Sequence, residues 1–185
     1  MNESEIILLT KRWIEKVVIG FNFCPFAAKV FKDDAIHYHV VSSSDNADCL
    51  AKFFIECERL DNHPEIETTL IILEKAVPDF LEYLDLVSMA EQLLTVHNYE
   101  GVYQVATFHP RYLFEGSSED DPANYTNRSP FPIIQLLREE SIERALEKFS
   151  DPDRIPERNI VFARNKGLEF MKSFVAIHWD SSSRQ

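Results

Sequence analysis

An α/β fold, with a small, mainly parallel sheet of about three strands and helices packed on it, follows from three observations on the sequence. Strand-like runs at 36–41, 69–73 and 102–108 alternate with helix-like runs. The middle run, Thr69 to Leu73, is apolar on both faces, as a central strand is. At 185 residues and 45% apolar content, the chain has the size and composition of one globular domain over 1–185, and a frayed tail is expected at 180–185.

Taken in order, Asn2 with Glu5 three residues on caps a first helix, whose inward stripe is Ile6, Leu9, Trp13, Val17 and Gly20. Pro25 disfavours helical geometry just before it, so the helix stops near Asn22 and Phe21 to Phe26 becomes a short aromatic turn carrying Cys24. Ile36 to Val41 is the first strand. Ser42 to Asp45 ends it and caps a helix with Leu50, Phe53, Phe54, Cys57 and Leu60 inward. After the second strand, Pro78 opens a helix through Phe80, Leu81, Leu84, Val87 and Leu94, ended by Asn98 and Gly101. The third strand closes at Phe108. Pro132 to Phe149 reads as a helix broken near Glu140-Ser141, and Pro156 starts a last helix with Ile160, Val161, Leu168, Met171 and Val175 inward. Ligands sit beyond the carboxyl ends of parallel strands, which puts Ser42–Asp45, Glu74-Lys75 and His109–Arg111 at one edge.

A net charge of −12 and a pI near 4.9 repel phosphate backbones and anionic headgroups, so neither nucleic acid nor membrane is expected as a partner. With four glycines, the chain contains neither of the glycine-rich phosphate loops. Cys24, Cys49 and Cys57 form no CxxC pair and are odd in number, which fits a reduced, cytoplasmic address. The first residues lack the pattern of a signal peptide, and no apolar run is long enough to span a bilayer.

The densest chemistry lies between Gln104 and Glu140. His109 ends a strand at the ligand edge, where an imidazole can act as general acid or base; the competing role is a cap on a loop carbonyl. Asp121 either turns inward to orient His109 or belongs to the solvated run Ser117 to Asp121. Arg111, Asn124, Asn127, Arg128 and Ser129 combine guanidinium forks, amides and a helix-like start, a set suited to a carboxylate or phosphate; the alternative is loop architecture. Cys24 is a candidate nucleophile or an inert thiol between Phe23 and Phe26. His37 and His39 share a strand face, but no third ligand is near in sequence, so no metal and no cofactor are expected. The function expected is an enzyme, a hydrolase or group transferase, acting on a small anionic metabolite at the 107–130 loop. The rivals are a non-catalytic binding protein using that loop and a thiol enzyme using Cys24.

Several of these pieces resemble an uncharacterised bacterial family, a domain of unknown function of similar chain length. They are Gly20 to Ala27, Gln104 to Pro110, Asp121-Pro122 through Asn124 to Pro130, and Leu136 to Glu139. The resemblance covers nearly the whole chain and carries no activity, cofactor or catalytic role with it. It directs attention to the same loop and to the Cys24 turn. The family pattern often has His where this chain has Gln135, which weakens any acid-base or metal role there.

Overall fold

Four strands, one more than expected, build the sheet. The computed structural model describes residues 1–147, 151 and 154–179, and in it β1 (Ile36–Val41), β2 (Thr68–Leu73), β3 (Tyr103–Phe108) and β4 (Ile133–Arg138) lie in the order β1-β2-β4-β3. β1 and β2 are parallel, and β4 is antiparallel to both β2 and β3. The first three strands in sequence therefore still point the same way. Val41 pairs with Leu73, and Ile133 lies between Ile72 and Phe108, so their carboxyl ends share one edge. The expected shared edge exists, but the sheet is mixed.

β4 corrects the expectation of a helix from Pro132. Ile133-Ile134-Gln135-Leu136-Leu137 is an apolar run whose periodicity fits strand and helix equally, and its length and β-branched start favour the strand. Its buried residues point to both faces: Ile134 and Leu136 to one core, Ile133 to the other. The helix α5 (Glu139–Leu146) begins only where the strand ends, and Phe149 lies outside the described residues.

One face of the sheet is covered by α3 (Asn46–Asn62) and α4 (Phe80–Val96), which bury Phe53, Cys57, Leu60, Tyr83, Leu86 and Ala90 against Ile71, Leu73 and Leu136. Asp45 and Asp79 cap these helices, each accepting from a backbone N–H two residues on. Leu81 and Leu84, expected inward, are 71% and 40% exposed, because Tyr83, Leu86 and Val87 take the buried stripe.

The other face carries α1 (Glu3–Trp13), its continuation as a π-helical turn over Ile14–Ile19, the short α2 (Ala27–Lys32), α6 (Arg154–Lys166) and α7 (Leu168–Trp179). The capping box Asn2/Glu5 is formed. A β-carbon on Gly20 would lie 2.2 Å from the Lys16 carbonyl oxygen, so glycine is what lets the chain leave the wide turn. The single last helix of the sequence reading is two helices: Gly167, at φ +82°, breaks it. Val161 is exposed while Ala163 and Met171 are buried; the Val175 side chain and the 180–185 tail lie outside the described residues. Among the described residues no helix is long and apolar enough to cross a membrane.

Candidate functional site

At the carboxyl edge, the Cys24 turn, the end of β3, the chain around Asn127 and α6 enclose a cavity of about 380 Å³. Val18, Phe23, Phe108 and Phe114 form apolar walls, and Ile155 and Ile160 close the α6 side. Cys24, Thr126, Asn127 and Asn159 are the polar lining groups, and neither an imidazole nor a carboxylate is among them.

Cys24 reaches this cavity because the π turn overshoots. Phe23 donates its N–H to the Val18 carbonyl at 2.8 Å, and Asn22 takes the left-handed conformation that asparagine tolerates (φ 56°). From α6, Asn159 Nδ2 donates to the Phe23 carbonyl at 2.7 Å, and Arg158 donates to the Asn22 carbonyl. Burial pushes the half-buried Cys24 thiol up, opposed by hydrogen bonds from the Phe26 and Ala27 backbone. At neutral pH the group is a thiol.

His109 stands at the same edge but does not face the cavity. It is 1% exposed, packed between the rings of Phe80 and Tyr83 at 5.3 and 5.0 Å. The Arg111 backbone N–H donates to Nδ1 at 3.0 Å, which places the proton on Nε2, where the Val77 carbonyl accepts it at 3.2 Å. Val77 itself has φ +46°, a conformation rare for a β-branched residue. Burial holds the imidazole below its usual range. Both ring nitrogens are bound to backbone, so the geometry is that of the capping histidine and speaks against proton transfer.

The remaining residues of the loop mostly answer one another. The Asn124 side chain, 0% exposed, accepts from the Phe114 N–H at 3.0 Å and the Ser117 hydroxyl at 2.8 Å and donates to the Ser118 carbonyl at 2.8 Å. Ser129 is buried and donates to the Phe131 carbonyl. Asn127 joins loop to sheet: its carbonyl accepts from the His109 N–H at 3.2 Å, and its Nδ2 donates to the Thr107 carbonyl at 3.3 Å. Arg128 lies over the Tyr125 ring and donates from Nε and Nη2 to the carbonyls of Tyr112 and Glu119, both at 3.2 Å. Arg111 bridges to Asp79 at 2.9 Å. Asp121 caps the 3-10 turn Pro122–Thr126 and pairs with Arg164 at 2.7 Å, and that hydrogen bond holds its carboxyl below the usual range. It does not orient His109.

Two features escaped the sequence reading. Asn159, Ile160 and Arg164 of α6 shape the cavity and brace the loop, and nothing local in their run marks them for it. Glu56 is the second: a carboxylate on the buried stripe of α3 three residues after Phe53 and fully shielded, it lies beside His37 and His39. The expectation of no metal rested on a missing third ligand, and α3 supplies one in space. Burial would raise Glu56, but hydrogen bonds from His39 and Arg59 overcome this and hold it below its usual value.

No curated protein and no solved structure matches the chain. A family model described as a protein of unknown function, DUF1415, matches residues 5–173. With nearly the whole chain covered, including the Cys24 turn, the loop and α6, the protein belongs to the DUF1415 family.

Proposed function

We infer that the protein binds a small, predominantly apolar molecule in the cavity beside Cys24, whose polar end meets the carboxamides of Asn127 and Asn159. The carrying observation is the cavity itself, of a volume suited to a small ligand, at the place where the Cys24 turn and the Asn127 chain converge. Each carboxamide has a donor and an acceptor position beyond those its intramolecular bonds use. Cys24 offers a soft, polarizable contact, and chemistry on its sulfur would require a base that the ligand or a partner brings. Binding is thus the primary function in this reading, and catalysis is secondary. Three free thiols and the charge of −12 support a reducing, cytoplasmic setting without nucleic-acid or membrane partners.

One observation favours a second reading, a small anion held by Arg128. Among the described residues no carboxylate lies within ion-pair distance of this half-buried guanidinium, in a chain of net charge −12. A hydrolase or group transferase that uses His109 to move a proton has no comparable support.

Iodoacetamide labelling of Cys24 in the presence of apolar fragments separates the readings. Fragment occupancy should slow Cys24 labelling about tenfold and leave Cys49 and Cys57 unchanged, since both are buried against the opposite face. Labelling insensitive to every fragment, together with stabilisation by phosphate or carboxylates, would transfer the site to Arg128.

A further inference from the structure

On the opposite face, at the open edge of the sheet, we propose that His37, His39 and Glu56 form a binding site for a divalent transition-metal ion, with zinc the best match. Strand alternation puts both imidazoles on the α3 side of β1, the edge strand, and α3 brings the Glu56 carboxylate up between them. The three donor atoms lie within 4.8 Å of one another. Two histidines and a carboxylate with room for water are an established zinc donor set, and imidazole with carboxylate also suits manganese, iron and cobalt.

The distances support a shared ion. Donors about 2.1 Å from a tetrahedral metal are about 3.4 Å apart. His37 Nε2 lies 3.6 Å from Glu56 Oε2, too far for a hydrogen bond and close to that spacing. His39 Nδ1 is nearer, 2.6 Å from Oε1, and would open by less than an ångström. The side chains of His37 and His39 are 31% and 21% exposed, so an ion can enter from solvent while Glu56 is fully shielded behind them.

Arg59 is the competitor. Its Nε donates to both Glu56 oxygens at 3.1 and 3.0 Å and already balances the buried charge. That pair alone satisfies Glu56 and gives no reason for two histidines on the same strand face. The Arg59 side chain is 34% exposed, so its guanidinium can swing to solvent when a cation takes its place. The site is independent of the cavity on the other face.

The test uses the full chain, stripped with chelator and titrated with cobalt(II) and zinc(II) alone. One equivalent of cobalt should bind with the visible absorption of a low-coordinate nitrogen and oxygen site, and zinc should displace it. His37→Gln removes a ring outside hydrogen-bond distance of Glu56, so the fold is not at risk; zinc affinity should fall about tenfold or more. Arg59→Gln should tighten zinc severalfold by removing the competing cation. Absence of cobalt absorption, or zinc binding equally strong in His37→Gln, would overturn the proposal.

Discussion

The loop from His109 to Pro130 and the Cys24 turn meet at one edge of the sheet and differ in how far their polar groups are used up within the protein. In the loop, Asn124 serves three partners, His109 two, and Arg128 two carbonyls, all of them within the protein. At the Cys24 turn the polar groups are few, and Cys24, the loop's own Asn127 and Asn159 of α6 line the cavity, each carboxamide keeping one donor and one acceptor position beyond its bonds within the protein. A long, buried connection without regular structure leaves many N–H and C=O groups to satisfy, and side chains rich in donors and acceptors are how that is done. Density of polar residues thus marks the scaffold, and the cavity opens where they thin out.

That contrast breaks most visibly at Asn124. Asn124→Ala removes three hydrogen bonds and leaves the Phe114 N–H without its acceptor, while the Ser117 hydroxyl keeps the Phe114 carbonyl and the Ser118 carbonyl keeps the Asp121 N–H; at about 1 kcal/mol for each lost bond, a loss of about 3 kcal/mol is expected in urea unfolding. A loss near zero would mean that the loop does not depend on its own polar network.

His109→Gln should cost about 2 kcal/mol, because the ring both packs between two aromatics and anchors Val77 in its left-handed conformation. It should also change the pH dependence. The folded pKa is depressed, so the contribution is complete above the unfolded value of about 6.5 and is lost as pH falls from there toward the folded value. His37, also depressed by burial, adds to the same limb. Urea midpoints should therefore decline more between pH 7 and 5 in the wild type than in His109→Gln, and parallel declines would contradict the buried-neutral role.

Much of the fold was legible where local rules agree. The Asn2 and Asp45 caps and the fully buried β2 follow from patterns within a few residues, and the common direction of β1, β2 and β3 follows from the alternation of strands and helices along the chain. β4 was not, because an apolar run that is buried on both faces has lost the alternation that distinguishes strand from helix. The candidate site was half legible: Cys24 and Asn127 stood out, while Asn159 and Ile160 look like ordinary helix positions and are brought in only by tertiary packing. Glu56 left a trace, a charge on a buried helical stripe, whose meaning depended on β1 lying against α3.

Arg128→Lys should have a smaller effect. Lysine keeps the charge but cannot reach two carbonyls while stacked on Tyr125, so a loss of about 1 kcal/mol is expected in thermal melts. Unchanged stability, with anion stabilisation abolished, would favour the second reading.

The most direct measurement compares melting shifts for the wild type, Ile160→Trp and Arg128→Lys across one panel of apolar fragments and small anions. Tryptophan at 160 fills the α6 side of the cavity and leaves the Arg128 contacts untouched. If the cavity is the binding site, fragments raise the melting temperature of wild type and Arg128→Lys alike and lose that effect in Ile160→Trp. Stabilisation by anions that persists in Ile160→Trp and vanishes in Arg128→Lys would contradict it.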